Sequence, residues 1–157
     1  MAAATGQTLD LRIQRQSSPT ACWAAVAASV AGFYGAAISQ PEVAQRVGAS
    51  LSERARVDVA LDAVDCLRSF TQGPAPLSLI TTELRRGNPV CAVVEWNDGG
   101  VHFVLIHGYE PQADGPWIAL ADPRVGHVRH RLRDFPRNYA RGGRWTWTCW
   151  LAGPTSL

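Results

Sequence analysis

The run from Ala21 to Gly35, ACWAAVAASVAGFYG, limits most strongly what this chain can fold into. Its only clearly polar member is Ser29. Alanine is the best helix former, so the run reads as a helix with Gly35 at its C-terminal cap. A helix apolar on every side has to sit inside a domain with other elements around it. A membrane span would need roughly 20 apolar residues; this run is shorter, and Gly32 and Gly35 interrupt it. One thiol, Cys22, falls in the first turn, directly after a polar turn that runs from Gln16 to Thr20.

That placement has chemical consequences. The first turn of a helix carries unpaired N–H groups and the positive end of the helix dipole, which favour a thiolate, the nucleophilic form of cysteine. The Cys22 backbone N–H and the side-chain amide of Gln16, six residues earlier, are two donors suited to an oxyanion. The plain alternative is that Cys22 is a small buried hydrophobe, the usual state of a free cysteine in an apolar helix. A base and an orienting carboxylate elsewhere in the chain would decide between the two.

The elements around the helix follow from periodicity. Leu9, Leu11 and Ile13 alternate with polar residues and predict a short strand leading into the Gln16 turn. Ser39 reads as an N-cap, Pro41 lies in a first turn, and Gly48 closes a short helix. Val57, Ala60, Leu61, Val64 and Leu67 have helical spacing within residues 53–67. A break rich in turn residues covers 71–76, and a helix over 77–86 ends at Gly87 and Asn88. Beyond Pro89 the pattern becomes strand-like. An apolar run covers 90–96, the hairpin signal NDGG covers 97–100, and strands follow over 101–109, 117–121, around 128–132 and over 144–151. Helices first and antiparallel strands second predict an α+β fold. It reads as one domain spanning 1–157, with a helical lobe of about 1–88, a sheet lobe of about 89–157 and a cleft between them.

Composition excludes several classes of partner. The 157 residues carry 15 basic and 13 acidic side chains, a net charge of +2. That balance argues against a nucleic-acid or membrane-surface partner. The start, MAAATGQTLD, has neither a basic n-region nor an apolar h-region. The expected location is therefore the cytoplasm of the producing cell, with reduced thiols. None of the four cysteines forms a CxxC pair, so no structural zinc is expected. A disulfide between two of Cys66, Cys91 and Cys149 stays open at this point. Arg129, Arg131 and Arg133 alternate along one strand and read as a solvated edge; an acidic partner is the alternative.

A base and an orienter are available. His102 follows the NDGG turn at a strand start, where it can face the cleft. His107 points to the opposite strand face, and His127 and His130 lie in a basic hairpin. Asp122 ends the strand WIALA before Pro123; it either starts a turn or orients a neighbouring histidine. Cys22, His102 and Asp122 thus supply a nucleophile, a base and an orienter, with no metal or cofactor required.

Gln16-x5-Cys22-Trp23-Ala24 is similar to the oxyanion and nucleophile segment of papain-like cysteine proteases. Val101 to Gly126, VHFVLIHGYE…WIALADPRVG, resembles the His and Asp-Pro segments of two papain-like groups. These are the bacterial double-glycine leader peptidases and the effector proteases that pathogenic bacteria inject. The resemblance implies a papain-like two-lobed fold, with Cys22 as nucleophile, His102 as base, Asp122 as orienter and Gln16 as oxyanion donor. Trp23 stands where the leader peptidases usually have Gly, and Asp122 where papain has Asn. No attached transporter domain is seen, which points towards a free-standing protease. Candidate substrate-binding residues are Trp23, Gly100 and Trp145, the last sharing a strand face with Trp147 by simple alternation.

The function implied is a cysteine endopeptidase acting on a protein or peptide. The likeness to small, stand-alone papain-like proteases delivered into rival or host cells implies a toxin or effector role, with signal-independent export and a cognate immunity protein. Leader-peptide processing and a non-catalytic peptide-binding module are the alternatives.

Overall fold

The computed structural model describes residues 6–154. The apolar helix, α1 (Cys22–Phe33), is buried at every residue from Cys22 to Ala31. Its one polar member is satisfied: the Ser29 hydroxyl donates to Ala25 O at 2.7 Å and accepts the Gln14 N–H at 2.8 Å. The helix ends where Gly35 turns to φ +96°, a conformation that favours glycine. Around it pack α2 (Gln40–Val47) and α3 (Val57–Ala63). The Ser39 hydroxyl caps α2 by accepting the Glu42 N–H, and Gly48 terminates it with φ +81°.

The other half is a seven-stranded antiparallel sheet. Its strands are β1 (Gln7–Thr8), β2 (Leu67–Gln72), β3 (Val90–Glu95), β4 (Val101–Glu110), β5 (Trp117–Asp122), β6 (Gly126–Arg131) and β7 (Arg144–Leu151). The order is β2-β7-β3-β4-β5-β6, with β1 added to β4. Alternation divides the apolar residues between two cores. Cys91, Leu105 and Ala121 join Trp23, Val26 and Leu61 on the α1–α3 side. Val90, Ala92, Val104 and Ile106 face the other way, against Ile80 and Leu84 of α4 (Leu77–Arg85) and against Phe135.

Four expectations change. The predicted strand at Leu9, Leu11 and Ile13 is absent, and only Gln7–Thr8 pairs into the sheet. Leu9 packs in one core while Leu11 and Ile13 pack in the other, so the segment crosses between them. The predicted helix over 53–67 shrinks to Val57–Ala63, because Asp65 turns at φ +60° and the chain enters β2. β2 itself, which covers Leu67–Gln72, occupies positions read as helix end and turn; it supplies an edge of the sheet beside β7. Lastly, a bulge between Val93 and Val94 pairs Val93 with Trp147 and Val94 with Trp145. One extra residue reverses the alternation, so the two tryptophans leave opposite faces instead of sharing one.

All four cysteines are free thiols. Cys91 faces Cys149 across β3 and β7, both fully buried. Their mutual hydrogen bond and the burial hold the Cys91 thiol well above its usual range. Burial, then Asp65, pushes Cys66 up to about 11. These three are packing residues.

Candidate active site

The approach to Cys22 is held from three directions. The Ser18 and Thr20 hydroxyls donate to Leu51 O, the latter at 2.8 Å. The Gln40 side chain, buried at the start of α2, accepts the Ser17 N–H at 3.0 Å and donates to Arg15 O at 2.7 Å. The Gln16 N–H donates to Pro123 O at 2.9 Å, and Arg15 Nη1 donates to Arg124 O at 2.9 Å. The loop before the thiol is thereby fastened to the turn that follows Asp122.

His102 is the second residue of β4, paired with Val94. Its Nε2 lies 2.7 Å from Asp122 Oδ1, and the pair is buried. Nε2 being taken, Nδ1 is the nitrogen left for the Cys22 thiol, whose proximity is one of the influences that raise the ring's pKa. Burial alone would lower the His102 pKa. The hydrogen bonds and charges of Asp122 and Cys22 outweigh it and push the ring up to about 9. Burial would conversely raise Asp122, but the His102 contact, the Tyr139 hydroxyl and the Arg124 N–H hold its carboxyl below the usual range. The two directions agree: each partner favours the charged form of the other.

Asp122 has two further donors. Oδ1 also accepts the Arg124 N–H at 2.8 Å, and Oδ2 accepts the Tyr139 hydroxyl. Trp96 lies over both His102 and Tyr139, with ring centroids 6.2 and 6.4 Å away and planes within 21° and 20° of parallel. It can do so because Gly143 lies beneath it; a Cβ there would sit 2.5 Å from the Trp96 and Val94 side chains.

Cys22 and His102 open on a cleft of about 1130 Å³ between the N-terminus of α1 and the β3–β4 end of the sheet. Gln16 and Gly100 border it, and so does Trp147, stacked on Phe70 at 4.7 Å; Trp23 lies behind its wall. Trp23 is fully buried, its indole N–H donating to Glu53 O at 3.0 Å. Trp145 is the correction. The bulge turns it into the α4-side core, where it packs 5.3 Å from Phe135 and is 3 % exposed, away from the cleft. The Gln16 Nε2 donates to Ser18 O at 3.0 Å and Pro19 O at 3.2 Å, leaving its buried Oε1 without a partner. In this state the amide hydrogens serve the loop rather than the cleft. The Cys22 N–H is one of the first-turn donors that a helix leaves unpaired.

Sequence reasoning missed Tyr139, Trp96 and Gln40 as parts of the site. Tyr139 lies in an irregular stretch without period. Trp96 reads as the end of an apolar strand. Gln40 carries only a weak signal, a polar residue at a helix start that turns out to be buried.

The architecture is shared with solved peptidase structures. It is similar to the peptidase domain of Streptococcus ComA, a bifunctional ABC transporter involved in quorum sensing (TM-score 0.65, 17 % identity, 91 % of this chain and 98 % of that one). It is similar to a double-glycine-motif protease from an AMS/PCAT transporter, solved with its leader peptide (TM-score 0.61, 19 % identity, 95 % of both chains). A chain from structural work on the mite allergens Blo t 1 and Der p 1 also superposes (TM-score 0.63, 13 % identity, 97 % of this chain and 72 % of that one). The fold is that of the papain-like cysteine peptidases. Within them, residues 4–140 match the family described as papain-like cysteine protease AvrRpt2, and the chain belongs to that family. No curated protein matches. The protein is thus a cysteine protease. None of the helices among the described residues is long and apolar enough to cross a membrane.

Proposed function

We propose that the protein is a cysteine endopeptidase in which Cys22 is the nucleophile, His102 the acid–base and Asp122 the orienter. What supports this reading is one observation: Cys22 and His102 line the same cleft, and the His102 ring is held from behind by Asp122 at 2.7 Å. The Cys22 thiolate attacks the peptide carbonyl, a C–S bond forms, and the carbonyl electron pair moves onto oxygen. The Cys22 N–H stabilises that oxyanion. Gln16 adds a second donor once its amide leaves the Ser18 and Pro19 carbonyls; each donor lowers the barrier by about 2.7–4 kcal/mol. His102 imidazolium gives its proton to the leaving amine as the C–N bond breaks. Neutral His102 then takes a proton from water, whose oxygen attacks the thioester; the C–S bond breaks, the acid leaves, and the Cys22 thiolate and His102 imidazolium are restored. Asp122 keeps the ring in register throughout.

The proposed substrate is a polypeptide. The cleft runs past the thiol between two walls, and the double-glycine protease of the same fold was solved with a peptide bound.

The test is covalent trapping by a peptide carrying a thiol-reactive electrophile. The native protein is expected to take up one equivalent at Cys22, and Cys22→Ala none, with an unchanged circular dichroism spectrum. Trapping of the variant at Cys66, Cys91 or Cys149 would refute the assignment.

A further inference from the structure

We propose that Tyr139 is a positioning residue of this site, acting through Asp122 to set how the carboxylate meets His102. The inference rests on the peptidase reading above. A carboxylate beside a catalytic histidine has two oxygens, and only one faces the ring. Here Oδ1 takes both His102 Nε2 and the Arg124 N–H. The other oxygen, Oδ2, has the Tyr139 hydroxyl as its partner. Both donors on Oδ1 leave the carboxylate free to pivot about that atom; a third donor on Oδ2 fixes the rotation. Without it, a buried charged oxygen is left bare, which costs more than an ordinary lost hydrogen bond.

Tyr139 is itself held. Its backbone exchanges two 2.8 Å hydrogen bonds with Gly143. Its ring meets Phe135 edge-on at 5.2 Å and lies under Trp96. Burial, and then the Asp122 charge, push its hydroxyl well above the ordinary tyrosine range, so it stays protonated and remains a donor. The donor also draws charge from the carboxylate. Removing it makes Asp122 more basic, and a more basic carboxylate holds the His102 proton more tightly.

The test needs no known substrate. The rate of Cys22 alkylation by iodoacetamide is followed against pH in the full chain. In the native protein the alkaline inflection is expected near the His102 value of about 9. In Tyr139→Phe, which keeps the ring, the inflection is expected to move up by about half a pH unit, a fraction of one charged hydrogen bond. Replacing Tyr139 by 3-fluorotyrosine, a stronger donor of nearly the same shape, should move it down; this arm decides the matter should the Phe variant not fold. An inflection that stays in place in both proteins, with only a lower melting temperature, overturns the proposal. A native protein whose Cys22 shows no enhanced alkylation at all sinks the peptidase reading instead.

Discussion

Replacing Asp122 by Asn removes the charge beside His102 and keeps its shape. The ring is pushed up to about 9 from an ordinary 6.5 although burial works against it, so its partners supply more than the whole gap. Two and a half pH units at about 1.4 kcal/mol each amount to between about 3 and 4 kcal/mol of imidazolium stabilisation. Asp122 is the largest of the raising influences and Cys22 the second. With the carboxylate gone, the largest raising influence is lost while burial still acts, so the His102 value should fall well below 9. At pH 8 the imidazolium, about nine-tenths populated in the native protein, should become the minority form, and alkylation of Cys22 by iodoacetamide should slow several-fold. Stability follows the same linkage. The folded value lies above the unfolded one, so this contribution is complete below pH 6.5 and disappears as pH rises through about 9. The melting temperature of the native protein should decline across that window, and that of Asp122→Asn should be flatter. An alkaline inflection still near 9 in a folded Asp122→Asn would refute the claim that this carboxylate holds the ring.

Further predictions concern the surroundings. Gly143→Ala puts a Cβ 2.5 Å from Trp96 and Val94, so Trp96 must leave its place over His102; Cys22 alkylation at neutral pH should fall several-fold while the far-ultraviolet spectrum is kept. Gln40→Ala strips partners from the Ser17 N–H and Arg15 O; about 3 kcal/mol should be lost, read as a lower urea midpoint at unchanged slope. Burial lowers the His107 pKa, so its contribution is complete above pH 6.5 and is lost as pH falls below it. His107→Gln should lessen the acid-side decline of the melting temperature; an identical decline in the variant counts against a buried neutral His107.

Legibility in the sequence followed the range of the forces involved. α1, the Ser39 cap, the Gly48 terminator and the NDGG hairpin depend on neighbours within a few residues, and they stand where the sequence puts them. Cys22, His102 and Asp122 were legible because each sits at an element end, which local pattern marks. β2 was not, because its side chains are largely exposed and its identity as a strand comes from pairing with β7, some 80 residues away. The bulge at Val93–Val94 was equally invisible: it is a property of two strands together, and it put Trp145 in the core and Trp147 on the cleft. Tyr139 reaches Asp122 from an irregular loop, where no periodicity points to a facing group. The division near residue 88 marks where helical pattern ends, yet β1 and β2 from the first part join the sheet and α4 covers its far face.

The bonds from Gln16 to Pro123 and from Arg15 to Arg124 join the strand-end turn of the acid directly to the chain that delivers the thiol. They form a clasp. The segment that ends in the sulfur and the turn that follows the acid are tied to each other directly, so their relative position is set locally and does not depend on the rest of the helix–sheet contact.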